Sequence, residues 1–289
     1  MSESLKALAL VGVYLLAAVT AGSVLAWSLY GLVDHSYYKI LSRAVLLFAA
    51  LGLVPMWRIA GLSAVSIGLL PVHFLGLLKT YSIGLVVILP PAMFFVVVGF
   101  RVLDPRLDFS GLDLWRELLL AITSGLLVGV FEESLFRGVL FGFLRRTGGF
   151  ILSASLVGVL YASVHFLQVA NESAGAVYWY TGYGYVGQAF AGLADPGGYW
   201  DAFLALFLLG LLFCWVREQY GLWWCIGLHA GLVCAIRMFK VLTVRDIYNP
   251  YKILASDYDN FVGILVAIWL IFLFVVIALY RSHQKGAQR

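Results

Sequence analysis

The chain has 289 residues, of which 63% are hydrophobic and only 12% charged, whereas a soluble domain carries about a quarter charged residues. That composition excludes a soluble enzyme, and a formal charge of +4 scattered over helix ends, with no basic patch, excludes nucleic acid as a partner. The sequence reads as an all-α, polytopic membrane helix bundle, a single integral membrane domain over residues 1–289 whose immediate partner is the lipid bilayer.

In chain order, apolar stretches near the length needed to cross a bilayer as a helix fall at 7–33, 40–57, 80–101, 114–146, 150–170, 201–217, 221–240 and 261–280. They make about eight transmembrane helices, and none shows the alternation of a barrel strand. The first is preceded by a single cation, Lys6, and outruns a signal-peptide core, so a retained helix is expected. The fourth would measure about 50 Å if straight, longer than the hydrocarbon slab. It must protrude, break or tilt. Cys214, Cys225 and Cys234 fall inside predicted spans without C-x-x-C spacing and read as buried thiols, neither disulfides nor metal ligands.

Between Arg146 and Arg217 there is no Lys or Arg, although the region includes the loop "NESAGAVYWYTGYGYVGQAFAGLADPGGYW". The positive-inside rule therefore directs this loop away from the cytoplasm, and the tail with Arg281, Lys285 and Arg289 into it. A multi-pass protein of the plasma (inner) membrane is the expected setting. The basic segment from Arg237 to Lys252 opposes that orientation. Tyr178, Trp179, Tyr180, Tyr183, Tyr185, Tyr199 and Trp200 in or beside the loop suit either a headgroup-level aromatic belt or a lid over a site.

The fourth span carries "GVFEESLFRGVL", with Glu132, Glu133 and Arg137 in a run otherwise fit for lipid. Carboxylates at membrane depth cost several kcal/mol or about 3 at the least, and usually line a cavity or mark function. Glu133 and Arg137 are spaced i, i+4 with the acid first, the favourable order for a helical ion pair. Glu132 points about 100° away and lacks that partner. Tyr161 and His165 in "LYASVHFLQ" also share a helix face, so the phenol either orients the imidazole or packs beside it. His229 and Arg237 occur in "IGLHAGLVCAIRMF", and Arg237, near a helix end, is expected to snorkel to the headgroups.

Helix arithmetic links these groups. Glu132 and His165 lie equally far along the chain from the turn at Gly148 and Gly149, so both stand roughly 24 Å from it at one depth. His229 lies only about 12 Å from the turn near Gly221, so it joins them only if the first hairpin protrudes or its long helix bends. A carboxylate and an imidazole converging on one water can deprotonate it for attack on a carbonyl while a second imidazole steadies the oxyanion. There is no G-x-S-x-G elbow and no H-E-x-x-H pair. Two His and a carboxylate are also a known zinc set. No cofactor is expected, with zinc as the alternative.

These residues resemble a family. "EESLFR" is similar to the E-E-x-x-x-R motif of the CPBP (CAAX-processing and bacteriocin-processing, or abortive-infection) intramembrane glutamic endopeptidases, "YASVH" to their aromatic-x-x-x-His motif, and "LHAG" to their later histidine. The family-like core covers about 114–240. The resemblance implies a membrane-embedded site in which Glu132 is the water-activating base, His165 its partner, His229 an oxyanion or orienting group, and Glu133 with Arg137 the supporting pair; Tyr161, by its spacing to His165, is expected to support them. It implies an endopeptidase acting on a membrane-protein or secreted-peptide substrate. One position departs from the pattern: Val233 stands where the family usually has Asn or Asp. The alternatives are a non-catalytic polytopic scaffold or immunity factor, which that departure favours, and a transporter, for which no inverted repeat is visible.

Overall fold

The computed structural model describes residues 3–107, 111–166, 176–193 and 199–287, and these form an all-α bundle with one small two-stranded sheet. Helices α1 (Glu3–Leu29) and α2 (Tyr37–Ile59) make a hairpin. Helix α3 (Phe74–Val87) runs into α4 (Leu89–Val97), with the junction where Pro90 and Pro91 remove two backbone donors. After β1 (Arg101–Leu103) come α5 (Leu112–Glu133), a π-helical segment at Ser134–Leu140, α6 (Phe141–Thr147) and α7 (Phe150–His165). Then follow α8 (Thr181–Leu193), α9 (Trp200–Tyr220), α10 (Leu222–Leu242), β2 (Thr243–Arg245), a 3-10 turn at Pro250–Leu254 and α11 (Ile264–Ala287).

Seven helical stretches among the described residues are long and apolar enough to span a bilayer. They correspond to seven of the eight expected spans, the third beginning at Phe74 instead of residue 80. The remaining one, 150–170, contains the shorter apolar helix Phe150–His165, and positions 167–170 lie outside the described residues. The overlong fourth span runs as helix from Asp113 to Arg146, its register altered midway by the π segment, whose seven residues are all buried.

Helix α10 is the axis of the bundle. Gly227 and Gly231, one turn apart, let it touch α3: a Cβ at Gly227 would meet the Leu77 carbonyl oxygen at 2.2 Å, and one at Gly231 the Tyr81 carbonyl oxygen at 2.1 Å. Small residues in this spacing allow backbones to approach where lipid gives no hydrophobic drive. Helices α9 and α10 are joined by one residue, Gly221, at φ +104°, a conformation that only glycine adopts freely. The α1–α2 hairpin meets the rest partly through α8: Thr20 Oγ1 and the Tyr183 hydroxyl lie 2.6 Å apart, and Ser23 Oγ donates to the Trp179 carbonyl at 2.5 Å.

At one end of the bundle β1 pairs antiparallel with β2, Arg101 opposite Arg245. Buried Arg101 donates to the Thr243 carbonyl and hydroxyl, each at 3.2 Å, and to the Asn260 carbonyl at 3.3 Å; burial pulls its pKa down. This cap covers the end where α5, α9 and α11 begin. At the opposite end Arg145 pairs with Glu218 at 2.7 Å. Among the described residues, the helix directions place Lys39, Arg43, Arg101, Arg106, Arg116, Arg237, Lys240, Arg245 and Lys252 toward the cap end, and Lys6, Arg58, Lys79, Arg145, Arg146, Arg217, Arg281 and Lys285 toward the other, with Arg137 between them. A count of Lys and Arg therefore does not orient the chain.

Candidate active site

Glu132 and Glu133 are the last two residues of α5, immediately before the π segment, and the structure sends them to different partners. Glu133, with a side chain 0% exposed, accepts from Arg137 Nη1 at 3.0 Å and meets His229 Nδ1 at 2.8 Å, both through Oε1. Glu132, 23% exposed, has neither contact. Its Oε2 lies 3.9 Å from His165 Nε2 and 4.0 Å from His229 Nε2, and it is buried without a hydrogen-bond partner.

The other ring nitrogens explain this spacing. His165 Nδ1 is 2.7 Å from the Tyr161 carbonyl, which can only accept, so Nδ1 carries the hydrogen. His229 Nδ1 faces the Glu133 oxygen that Arg137 also holds, and donates to it. In the neutral imidazoles both Nε2 atoms then present lone pairs toward a carboxylate oxygen. Three acceptors converge with nothing between them to donate. Separations near 4 Å are too long for direct hydrogen bonds but short enough for a bridging water, which can donate to Glu132 Oε2 and to one of the two Nε2 atoms.

The scaffold behind the site comes largely from α9. The Arg137 guanidinium sits over the rings of Tyr161 (4.3 Å), Phe213 (4.8 Å) and Phe136 (5.7 Å) and donates to the Gly210 carbonyl at 3.4 Å. Phe213 stacks on His229, with ring centroids 5.0 Å apart. Arg217 donates to the Arg137 carbonyl in the π segment at 3.3 Å and to the Ile67 carbonyl at 3.2 Å. Nothing in the sequence distinguishes Phe213 or Gly210 from the neighbouring apolar residues of α9. Tyr161 does act on His165, but through its backbone carbonyl; its ring meets the imidazole edge-on at 4.6 Å.

His229 reaches this depth because the first hairpin protrudes. A Cβ on Gly138 would lie 3.6 Å from Leu222 Cδ2, so α10 begins beside residue 138, and the turn after Thr147 extends about 13 Å further. All six residues expected at the site, Glu132, Glu133, Arg137, Tyr161, His165 and His229, stand together.

A cavity of about 540 Å³ is lined by three of them, Tyr161, His165 and His229, and among others by Val233, Arg237 and Tyr258. Arg237, expected to snorkel, pairs with Glu117 at 3.0 Å and lines this cavity instead. A second cavity of about 370 Å³, almost wholly apolar, lies between α3, α9, α10 and α11 and shares Leu209, Leu232, Ile236 and Val262 with the first. The aromatic loop is divided in role. Tyr185 is buried against Tyr37 and Tyr38, Tyr178 to Tyr180 are half exposed, and Tyr199 stacks on Phe166 beside His165. Residues 167–175 lie outside the described residues.

Residues 114–235 match the family described as type II CAAX prenyl endopeptidase, Rce1-like. No curated protein and no solved structure matches the chain. The matched stretch holds both glutamates, Arg137 and both histidines. In residues 114–235, the part that carries the candidate site, this integral membrane protein is thus similar to the Rce1-like CAAX prenyl endopeptidases, a family of proteases.

Proposed function

We propose that the protein is a glutamate-dependent intramembrane endopeptidase, and that Glu132 is the base that activates the attacking water. The carrying observation is the unpaired Glu132 oxygen facing two imidazole nitrogens across a gap the size of a water. Glu132 takes the proton as the water oxygen bonds to the carbonyl carbon, and passes it to the amine when the C–N bond breaks; the second water hydrogen is accepted by the Nε2 of one of the two imidazoles, which orients the attacking lone pair. Glu133 fixes the ring orientation of His229.

The substrate reading follows from the cavities. Arg237 lies eight residues beyond His229 on the same wall, about 12 Å along α10, which an extended peptide covers in about three to four residues. Its guanidinium can meet a terminal carboxylate when the scissile bond is at the histidines, and the apolar cavity alongside suits a prenyl chain. A CAAX-type substrate, cut near its C-terminus, fits both.

Zinc is the second reading, favoured by the His, His, Glu convergence. Ligand atoms on a tetrahedral zinc stand about 3.3 Å apart, from bonds of about 2.0–2.1 Å, and the separations here are 3.9 and 4.0 Å. That spacing favours water. The test uses purified full-length protein and a fluorogenic farnesylated peptide ending in Cys-Ala-Ala-Xaa. Cleavage is expected to survive prolonged treatment with a strong chelator and to vanish in Glu132→Gln at normal protein yield. Activity lost to the chelator and regained with zinc would establish the metal reading, and an active Glu132→Gln would remove the base assignment.

A further inference from the structure

Resting on the protease reading, we infer that Tyr258, which lies outside the family-matched stretch, is a catalytic residue that donates the hydrogen bond to the oxyanion. Peptide hydrolysis needs a donor aimed at the carbonyl oxygen as charge develops there. The floor of the site supplies acceptors: Glu132 Oε2 and the two Nε2 atoms. Val233, one turn past His229 on the cavity wall, offers no polar atom. Arg237 and Lys240 stand about 12 and 16 Å beyond His229 along α10 and are paired with Glu117 and Asp259.

Tyr258 lines the same cavity as His165 and His229, and its loop is built to hold one conformation. Ser256 Oγ donates to Asp201 at 2.9 Å and accepts the Tyr258 N–H at 3.2 Å. Asp259 accepts the N–H groups of Phe261 and Val262 at 3.0 and 2.6 Å and the Lys240 ammonium at 2.7 Å. Asn260 is held at φ +62°, the one non-glycine residue with positive φ among those described, and its carbonyl is tied to Arg101. Such strain persists where surroundings over-determine it, and it clusters at functional sites. The Tyr258 ring packs on Phe166, the neighbour of His165, at 4.8 Å and on Tyr199 at 6.2 Å. These contacts hold the Tyr258 ring against the cavity wall beside His165.

In the step itself the water oxygen bonds to the carbonyl carbon, the carbonyl π pair moves onto its oxygen, and the Tyr258 O–H bonds to that oxygen. Collapse restores the C=O bond, breaks C–N, and returns the proton held by Glu132 to the amine. Tyr258 keeps its own proton throughout.

The test compares full-length wild type, Tyr161→Phe, Tyr258→Phe and Tyr258→Phe/Val233→Asn on the farnesylated fluorogenic peptide. Tyr258→Phe is expected to lower kcat by about 10²–10³-fold, with KM and melting temperature little changed. Val233→Asn, which places an amide on the same wall, is expected to restore at least tenfold of that loss. Wild-type kcat in Tyr258→Phe overturns the inference alone, and so does a loss that comes with a lowered melting temperature and no rescue. A loss in Tyr161→Phe with none in Tyr258→Phe moves the donor to Tyr161 and also overturns it. Absence of cleavage by wild type rejects the protease reading and this assignment with it.

Discussion

Glu132 and Glu133 are neighbours in sequence and opposites in environment. Glu133 is enclosed by Arg137 and His229, so Glu133→Gln leaves a guanidinium buried without a counter-charge and releases the His229 ring. Breaking a buried pair from one side costs about 3–5 kcal/mol. We expect Glu133→Gln to lower both membrane abundance and activity, whereas Glu132→Gln keeps abundance and loses activity. Size-exclusion profiles and melting temperatures of the two variants decide this, and equal, mild effects would contradict it. The Glu133–Arg137 pair was legible because helix periodicity alone brings i and i+4 together. The Glu133–His229 bond was not, since it depends on how α5 and α10 are set side by side. The i, i+4 spacing also brought Tyr161 to His165, but it could not say that the carbonyl, not the phenol, would hold the imidazole.

At the scale of elements, the sequence disclosed spans and left their registers open. The excess length of the fourth span is visible in a count of apolar residues; the π segment that alters its course is not, because Ser134–Leu140 has the composition of any buried helix. The turn at Gly148 and Gly149 and the depth of Glu132 and His165 followed from rise per residue, whereas the depth mismatch of His229 left a protruding hairpin and a bent helix as alternatives, of which the protruding hairpin is the one seen. The contact of α10 with α3 rests on Gly227 and Gly231, where a methyl group would fall within 2.3 Å of a carbonyl oxygen. Gly227→Ala is therefore expected to push the two helices apart and destabilise the protein by about 1–3 kcal/mol. A lower melting temperature together with a lower kcat, as His229 withdraws, is the outcome to measure; a variant that melts and turns over like wild type would show that the crossing tolerates the shift.

For the whole molecule, orientation is the property least written into the chain. By the positive-inside rule the cation-free stretch between Arg146 and Arg217 argues for an outward aromatic loop, while the cap beside that loop, with Arg101, Arg106, Arg245 and Lys252 at the same end, argues against it. We propose the outward orientation for the cap. In a background lacking the native cysteines, Tyr248→Cys, at an 88% exposed position, is expected to react with a membrane-impermeant thiol reagent from outside intact cells, and Gly149→Cys to be protected. The reverse pattern would turn the cavity mouth toward the cytoplasm. The seat of the site in one core was legible from its motifs; its wall at residues 258–262 was not, because that wall comes from an irregular loop with no periodicity to read.

The shortness of α7 bears on how hydrolysis can proceed inside lipid. Its 16 residues extend about 24 Å, less than the roughly 30 Å of a hydrocarbon core, and His165 is its last residue. The helix that carries one side of the reactive cluster thus runs out before the oil does, on the side where Arg237, Lys240 and Asp259 ring the cavity. Hydration can follow those charges down to the helix end, so the supply of the second reactant is set by bilayer thickness as much as by the protein. On the proposed hydrolytic reading, a thicker membrane would lengthen that descent, and cleavage is expected to slow as lipid chain length rises.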